Sequence, residues 1–332
     1  MNIALFGAGR IGRIHAANLA ASGLARLSHV VDVDPAAAAA LAAQHGAKPA
    51  AAGEVFADPA VGAVMVCSST DTHADLVIRA AEAGKAVFCE KPVDLSLARV
   101  DACLAAVRRA GIPLFVAFNR RFDPSFAALK ARLAAGEIGR AEQVVITSRD
   151  PGPPPLAYIK VSGGLFRDMT IHDFDMARWL LGEEPDSVYA TGACLVDPAI
   201  ADAGDIDTAM VILTTPSGRQ AFINNTRRAA YGYDQRIEVH GPLGRLSAGN
   251  LTETTVEAAT TAGVSRDKPL HFFLERYAAA YRAELAAFLA ALREKTPMPV
   301  SGEDGRLALV LAEAAARSAR EGRPVRVAEV VQ

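Results

Sequence analysis

Along the first third of the chain, short apolar runs alternate with amphipathic stretches of helical period. The runs lie at 3–6, 29–33, 63–67, 86–89 and 114–117, and helical patterns fill 11–21, 35–45, 72–83 and 96–110. Gly84 and Gly111 stand where helix C-caps belong. Strands that alternate with helices of this length predict right-handed βαβ units around a parallel sheet. Any bound nucleotide then belongs at the carboxyl edge of that sheet.

The pattern changes near residue 120. After one more helix, predicted at 124–136, longer stretches alternate apolar and polar positions at 141–148, 187–196, 208–214, 220–225 and 235–240. Pro216-Ser217-Gly218 and Gly241-Pro242-Leu243-Gly244 have the chemistry of hairpin turns. Strand after strand without helices between them predicts an antiparallel sheet. Two amphipathic helices are expected at 271–294 and 303–321, then a short strand near 325–327. The predicted architecture is an α/β Rossmann domain with a parallel sheet over 1–119, followed by an α+β domain with a largely antiparallel open sheet over 120–332. The C-terminal helices are free to pack back on the first domain. Pro151-Gly152-Pro153-Pro154-Pro155 reads as a stiff loop.

Composition narrows the function classes. The chain has 332 residues, which favours two domains, and it is 51% apolar and 22% charged. A net charge of -2 gives no reason to expect nucleic acid or an anionic membrane as partner. No stretch approaches the ~18 uninterrupted apolar residues of a membrane span. The first strand begins at once, leaving no room for a signal peptide, so a cytoplasmic protein is expected. Cys67, Cys89, Cys103 and Cys194 are widely spaced, without a C-x-x-C pair or a Cys/His cluster. No metal is expected.

The first apolar run leads directly into Gly7-Ala8-Gly9-Arg10-Ile11-Gly12, and Asp32 stands 20 residues past the last glycine, closing the second run. A glycine triplet alone is weak evidence. Here a strand precedes it, a helix follows, and an acid stands at the expected distance, which together mark a dinucleotide site. Gly7 permits the tight turn, Gly9 the close approach to pyrophosphate, and Gly12 the packing of helix on strand. Asp32 is placed to accept from the adenosine ribose hydroxyls. It also opposes a 2′-phosphate, and Val33-Asp34-Pro35 supplies no arginine to compensate. The expected cofactor is NAD.

Candidate chemistry gathers in two further segments. Glu90-Lys91-Pro92 follows the fourth apolar run, so Lys91 sits at the carboxyl edge, where a lysine can polarise an oxygen or release a proton. The bland alternative is a surface lysine; the following proline permits a cis bond. The second segment is Asp168-Met169-Thr170-Ile171-His172-Asp173-Phe174-Asp175, entered through Gly163-Gly164. Thr170 and Asp173 resemble a capping pair that starts a helix running to Gly182. Ile171, Phe174, Ala177, Arg178 and Leu181 form its core face, and His172 shares another face with Asp175. An imidazole among carboxylates suits proton transfer, although acids at a helix start also simply favour the dipole. Asn119-Arg120-Arg121 and Arg149-Asp150 read equally as substrate contacts or ion pairs. Tyr231-Gly232-Tyr233 puts both rings on one face of an extended segment, for a core or a substrate role. His73, in Ser69-Thr70-Asp71-Thr72-His73, reads as a nucleotide loop or a helix cap.

Taken together these segments resemble the Gfo/Idh/MocA oxidoreductases, and within them the bacterial inositol 2-dehydrogenases, over nearly the whole chain. Phe88-Cys89-Glu90-Lys91-Pro92 and Phe118-Asn119-Arg120-Arg121-Phe122-Asp123 carry the family resemblance. Residues 148–151, 163–175 and 231–234 carry the inositol branch. The resemblance implies Lys91, Asp168 and His172 as the catalytic set. It implies Gly7, Gly9, Arg10, Ile11, Gly12, Asp32, Ser68, Thr70, His73, Glu90 and Lys91 around NAD. Asn119, Arg120, Asp150, Thr170, Asp175 and Tyr233 would line a polyol pocket between the domains. Many members have glycine where this chain has Thr170, which is read as adding a substrate hydrogen bond. The implied activity is NAD-dependent oxidation of myo-inositol. Its alternatives are another cyclic polyol or aldose, such as scyllo-inositol or glucose, or an NAD(P)-binding regulator without turnover. The resemblance also implies homodimers or homotetramers packed through the open sheet.

Overall fold

The computed structural model describes residues 1–331. The chain divides into two units, Met1–Phe122 with Ala280–Leu309, and Asp123–Ala279 with the residues from Val310 onward.

In the first unit the elements are β1 (Asn2–Phe6), α1 (Arg10–Ser22), β2 (Arg26–Val31), α2 (Pro35–Gln44), β3 (Lys48–Pro49), α3 (Ala52–Ala57), β4 (Val61–Val66), α4 (His73–Glu82), β5 (Ala86–Glu90), α5 (Leu97–Ala110) and β6 (Leu114–Ala117). The strands form one parallel sheet in the order β3-β2-β1-β4-β5-β6. Strand order therefore reverses between β1 and β4, the switch point where such sheets bind nucleotides. β5 and β6 are buried along their whole length, as the continuous apolar runs require of a sheet covered on both faces. Phe88 stacks on Phe115 with centroids 5.1 Å apart, and Phe288 meets both edge-on at 5.6 and 5.9 Å. Each such ring contributes roughly 1.5–3 kcal/mol by burial.

The second unit holds α6 (Pro124–Ala134), β7 (Gln143–Arg149), α7 (Leu156–Ile159), a π-turn (Phe166–Thr170) that runs into α8 (Ile171–Leu181), β8 (Ser187–Ala193), α9 (Pro198–Asp202), β9 (Thr208–Thr214), β10 (Gln220–Thr226), β11 (Asp234–Gly241), β12 (Gly244–Ala248), β13 (Glu257–Thr260), β14 (Gly263–Arg266) and α10 (Phe273–Arg276). Of the elements that follow, α11 (Ala278–Glu294) belongs almost wholly to the first unit, α12 (Gly302–Glu321) passes from the first into the second, and β15 (Val325–Arg326) belongs to the second. The large sheet has the order β12-β11-β7-β10-β9-β8-β15. It is antiparallel except at β7 and β10, which run parallel. The chain leaves β7, crosses the sheet as α8 and returns through β8 and β9, so β10 comes to lie beside β7 in the same direction.

One face of this sheet is interior. Val144, Ile146, Val211, Leu213, Ala221 and Ile223 alternate inward, and α8 packs against β7 and β10. The other face exposes Val145, Tyr189, Met210 and Ile212.

Period reasoning did not predict β3, α3, α7 and α9, which are too short to show one, nor the β13–β14 hairpin, every residue of which is exposed. Among the described residues no helix is long and apolar enough to cross a membrane.

Candidate active site

The carboxyl edge of the first sheet is shaped for close approach. Gly7 has φ +101°, and a Cβ there would lie 2.5 Å from the Cys67 carbonyl oxygen. At Gly12 a Cβ would fall 1.9 Å from the Gly7 oxygen, so the turn and the start of α1 exclude any side chain, while Gly9 stands in open space. Gly7 N donates to Val31 O at 2.8 Å, which ties the loop to β2. Asp32, the residue after β2, accepts from Ala8 N at 2.6 Å and from Asp34 N at 2.9 Å. Its carboxylate braces the glycine loop as well as standing at the edge, and the donor-rich turn before a helix N-terminus fits a dinucleotide pyrophosphate.

The loops beyond β4 and β5 lie on the same edge. Thr70 opens a single 3-10 turn, Thr70–Thr72, and Ser68 Oγ lies 2.6 Å from Thr72 Oγ1. His73 is only 1% exposed, and its ring nitrogens face Pro92 O at 2.8 Å and Ser68 O at 3.0 Å. A carbonyl only accepts, so the ring nitrogen that carries a proton is the donor, and the buried His73 ring stands between the loops after β4 and β5. Glu90 is likewise turned inward, accepting from His15 Nε2 at 2.7 Å. Glu284 completes that cluster: one ligating-type atom each of His15, Glu90 and Glu284 lies within 4.8 Å of the others. Neither oxygen of Glu284 has a hydrogen-bond partner, and burial first, then the Glu90 charge, push its carboxyl well above the usual range. Lys91 follows as the first residue past β5, partly exposed, and the Lys91–Pro92 bond is cis. Asn119 is buried, with its Oδ1 unpartnered, and Arg120 is buried beside it in the turn after β6.

In the second unit the segment from Asp168 to Asp175 is continuous helix, its first turn a π-turn. The expected capping pair is not one. Thr170 has helical φ and ψ and makes no capping bond; its hydroxyl donates to Asn225 Oδ1 at 2.7 Å, and Asn225 Nδ2 donates to Asp173 Oδ2 at 2.8 Å. A buried amide on β10 therefore holds both residues from across the sheet face. Thr170 is fully buried, so its hydroxyl serves the fold where a substrate contact was expected. Asp175 is also fully buried, 3.9 Å from Arg178 Nη1. His172 is partly exposed, one turn beyond Asp168. Asp168 accepts from Tyr158 Oη at 2.8 Å through Oδ1 and from Arg227 Nη2 at 3.2 Å through Oδ2. Tyr231 and Tyr233 do not share a face: Tyr231 is exposed and donates to Asp234 at 2.6 Å, while Tyr233 is buried edge-on to Tyr277 at 5.9 Å. Gly232 between them has φ +124°, and that turn separates the rings.

Residues 1–118 match the oxidoreductase family with an NAD-binding Rossmann fold, and residues 126–247 match the GFO/IDH/MocA C-terminal domain. The chain belongs to the GFO/IDH/MocA oxidoreductase family. It is 54% identical over 325 residues to the inositol 2-dehydrogenase of Rhizobium meliloti, covering 98% of each chain. Among solved structures, a myo-inositol dehydrogenase from Corynebacterium glutamicum is similar with TM-score 0.94 and 46% identity, covering 98% of both chains. A scyllo-inositol dehydrogenase from Lactobacillus casei, solved with NAD(H) and scyllo-inositol, is similar with TM-score 0.91 and 28% identity, covering 99% of both.

As a GFO/IDH/MocA oxidoreductase the chain takes NAD as cofactor, and the glycine loop, Asp32 and the first-unit sheet edge fit it. Several residues of these clusters escaped sequence reasoning, His15, Asn225 and Arg227 among them. His15 sits on α1, three residues past Gly12, and meets Glu90 from 75 positions away. Asn225 follows Ala221 and Ile223 on the inward face of β10, and a polar residue at a buried position was the signal that could have found it. Arg227 directly follows β10, as Asp150 follows β7, and strand ends deserve inspection in any sheet of this kind.

Proposed function

We propose that this enzyme oxidises myo-inositol to 2-keto-myo-inositol with NAD. The observation that carries the reading is near-complete coverage by an inositol 2-dehydrogenase at 54% identity, joined to an accessible histidine and acids at the start of α8. NAD, held by the glycine loop and Asp32, would supply the hydride acceptor for the substrate carbon. His172 takes the proton of the hydroxyl on that carbon. Asp168 orients the imidazole and balances its charge, and Lys91 holds the oxygen on which charge changes. Asn119, Arg120, Asp150 and Tyr233 recognise the remaining hydroxyls. A neutral polyol offers no carboxylate or phosphate for arginines to grip, so acids and amides suit it.

The open face of the second sheet, with Val145, Tyr189, Met210 and Ile212 exposed, supports packing of copies into dimers or tetramers. We place the enzyme in the cytoplasm, in polyol catabolism. Purified protein with NAD and a panel of inositols and aldoses, followed by NADH formation, tests the reading. Myo-inositol should be turned over well, deoxy-inositols poorly and uronic acids hardly at all. Turnover of scyllo-inositol or an aldose alone would move the substrate within the family. NAD binding without any turnover would favour a regulator.

A further inference from the structure

Arg227 is the largest of the fully buried side chains, at 1% exposure. Its position follows from the register of the sheet. β7 and β10 run parallel with Arg149 opposite Thr226, so Asp150 and Arg227 leave the same end of the sheet side by side. Asp150 N donates to Thr226 O at 3.0 Å, and Arg227 N donates to Asp207 O at 2.8 Å, which fixes both backbones. The guanidinium then reaches two acids: Nη2 donates to Asp168 Oδ2 at 3.2 Å, and Nη1 lies 3.9 Å from Asp150 Oδ2. Its Nε has no acceptor. A buried guanidinium is costly unless anions stand close, and two neighbouring carboxylates without a cation raise one another's pKa.

We propose that Arg227 is a positioning residue for the dehydrogenase reaction, holding the Asp168 and Asp150 carboxylates side by side and fixing the rotation of the Asp168 carboxylate that orients His172. The inference rests on the reading of Asp168 and His172 as the proton-transfer pair. Tyr158, donating to the other oxygen of Asp168 at 2.8 Å, completes the fixing of that carboxylate. Other ionisable side chains on the surrounding elements include Asp205, which accepts from Leu165 N at 2.9 Å; Arg167, paired with Glu313 at 2.6 Å; Asp207, held by backbone donors; Arg149 at the end of β7, which donates to Tyr231 Oη at 2.9 Å; Asp173, Asp175 and Arg178 on α8; Lys160 after α7; Arg228, which donates to Val196 O at 3.4 Å; and His172 itself.

The sign follows from charge. Arg227 places a positive charge 3.2 Å from the Asp168 carboxylate, and a cation beside a proton-transfer site opposes proton uptake there, so removing it makes uptake easier. Arg227→Met should therefore move the acidic limb of the kcat/KM profile for myo-inositol up by at least about one pH unit, while NAD affinity measured by calorimetry stays near native. Arg227→Lys keeps the charge and should hold the limb near its native position. Asp150→Asn should move it down, because the guanidinium is then left to Asp168 alone, and it keeps the test open if Arg227→Met does not fold. A purely structural arginine would lower Tm in both Arg227 variants and leave the limb in place; that result, or an upward shift in Asp150→Asn, overturns the proposal. Wild-type enzyme is assayed first. No turnover of any polyol by wild type would defeat the proposed function, whereas turnover with unmoved limbs in the variants would defeat this inference alone.

Discussion

Each unit contains a histidine among acids, and the two groups differ in access and in partners. In the first unit His15 and Glu284 are fully buried, Glu90 nearly so, and both oxygens of Glu284 lack a hydrogen bond. In the second, the Asp168 and Asp150 side chains keep 13% and 20% of their surface, His172 is partly exposed, and a tyrosine and an arginine grip Asp168. Residue types alone do not separate the clusters. A group that exchanges protons with substrate has to be reachable and held in one geometry; a group sealed in the core can only tie elements together. On that ground we propose the second cluster for the chemistry and the first for the bracing of β5.

The largest effect that would break this comparison is on turnover. His172→Ala should lower kcat by ~10²–10⁴, the usual loss on removing a general base, with NAD affinity near native by calorimetry. A loss below tenfold would make the acids of α8 ordinary helix-start residues. His15→Ala should act in the opposite sense, lowering Tm more than kcat, because Glu90 is left buried without its donor.

A smaller, sharper effect lies at Asp32. Its carboxylate, proposed to receive the ribose hydroxyls, holds Ala8 N at 2.6 Å. Asp32→Ser should weaken NAD and relieve the exclusion of NADP, shifting the ratio of kcat/KM values toward NADP. Equal kcat/KM for both cofactors in the native enzyme would remove the basis of that assignment.

The smallest effect is one of stability. The Glu284 carboxyl is raised in the folded protein, so above its unfolded pKa near ~4.3 the folded state holds a proton that the unfolded state has lost. Stability from this group therefore falls as pH rises from there toward the folded pKa. Glu284→Gln removes the dependence. Its Tm should exceed wild type at pH 8 by about 2–4 °C, the shift that ~1 kcal/mol gives in a domain of this size, and match it near pH 4. A variant less stable at every pH would mean that Glu284 is bonded as a carboxylate.

Much of this was legible in sequence where the signal is local. Apolar runs of fixed length placed β1, β5, β6, β9 and β10 within a few residues, and the glycine triplet placed the nucleotide edge. The failures are contacts across the fold. Thr170 and Asp173 have the spacing of a capping pair, yet a buried amide 55 positions from Thr170 satisfies both, and a long-range partner already desolvated outcompetes a local cap. His73 reads in sequence equally as a nucleotide-loop residue or a helix cap, and nothing nearby shows that its ring reaches Pro92 O. Arg227 meets Asp150 only through the parallel register of β7 and β10, and a reading that expected antiparallel neighbours had no means to pair them.

The central claim is that hydride leaves C2 of myo-inositol for NAD on this chain. Incubation with myo-inositol deuterated at C2, followed by mass analysis of the cofactor, tests it directly. The account predicts NADH carrying one deuterium and a 2-keto product. NADH without deuterium, or none formed, would contradict it.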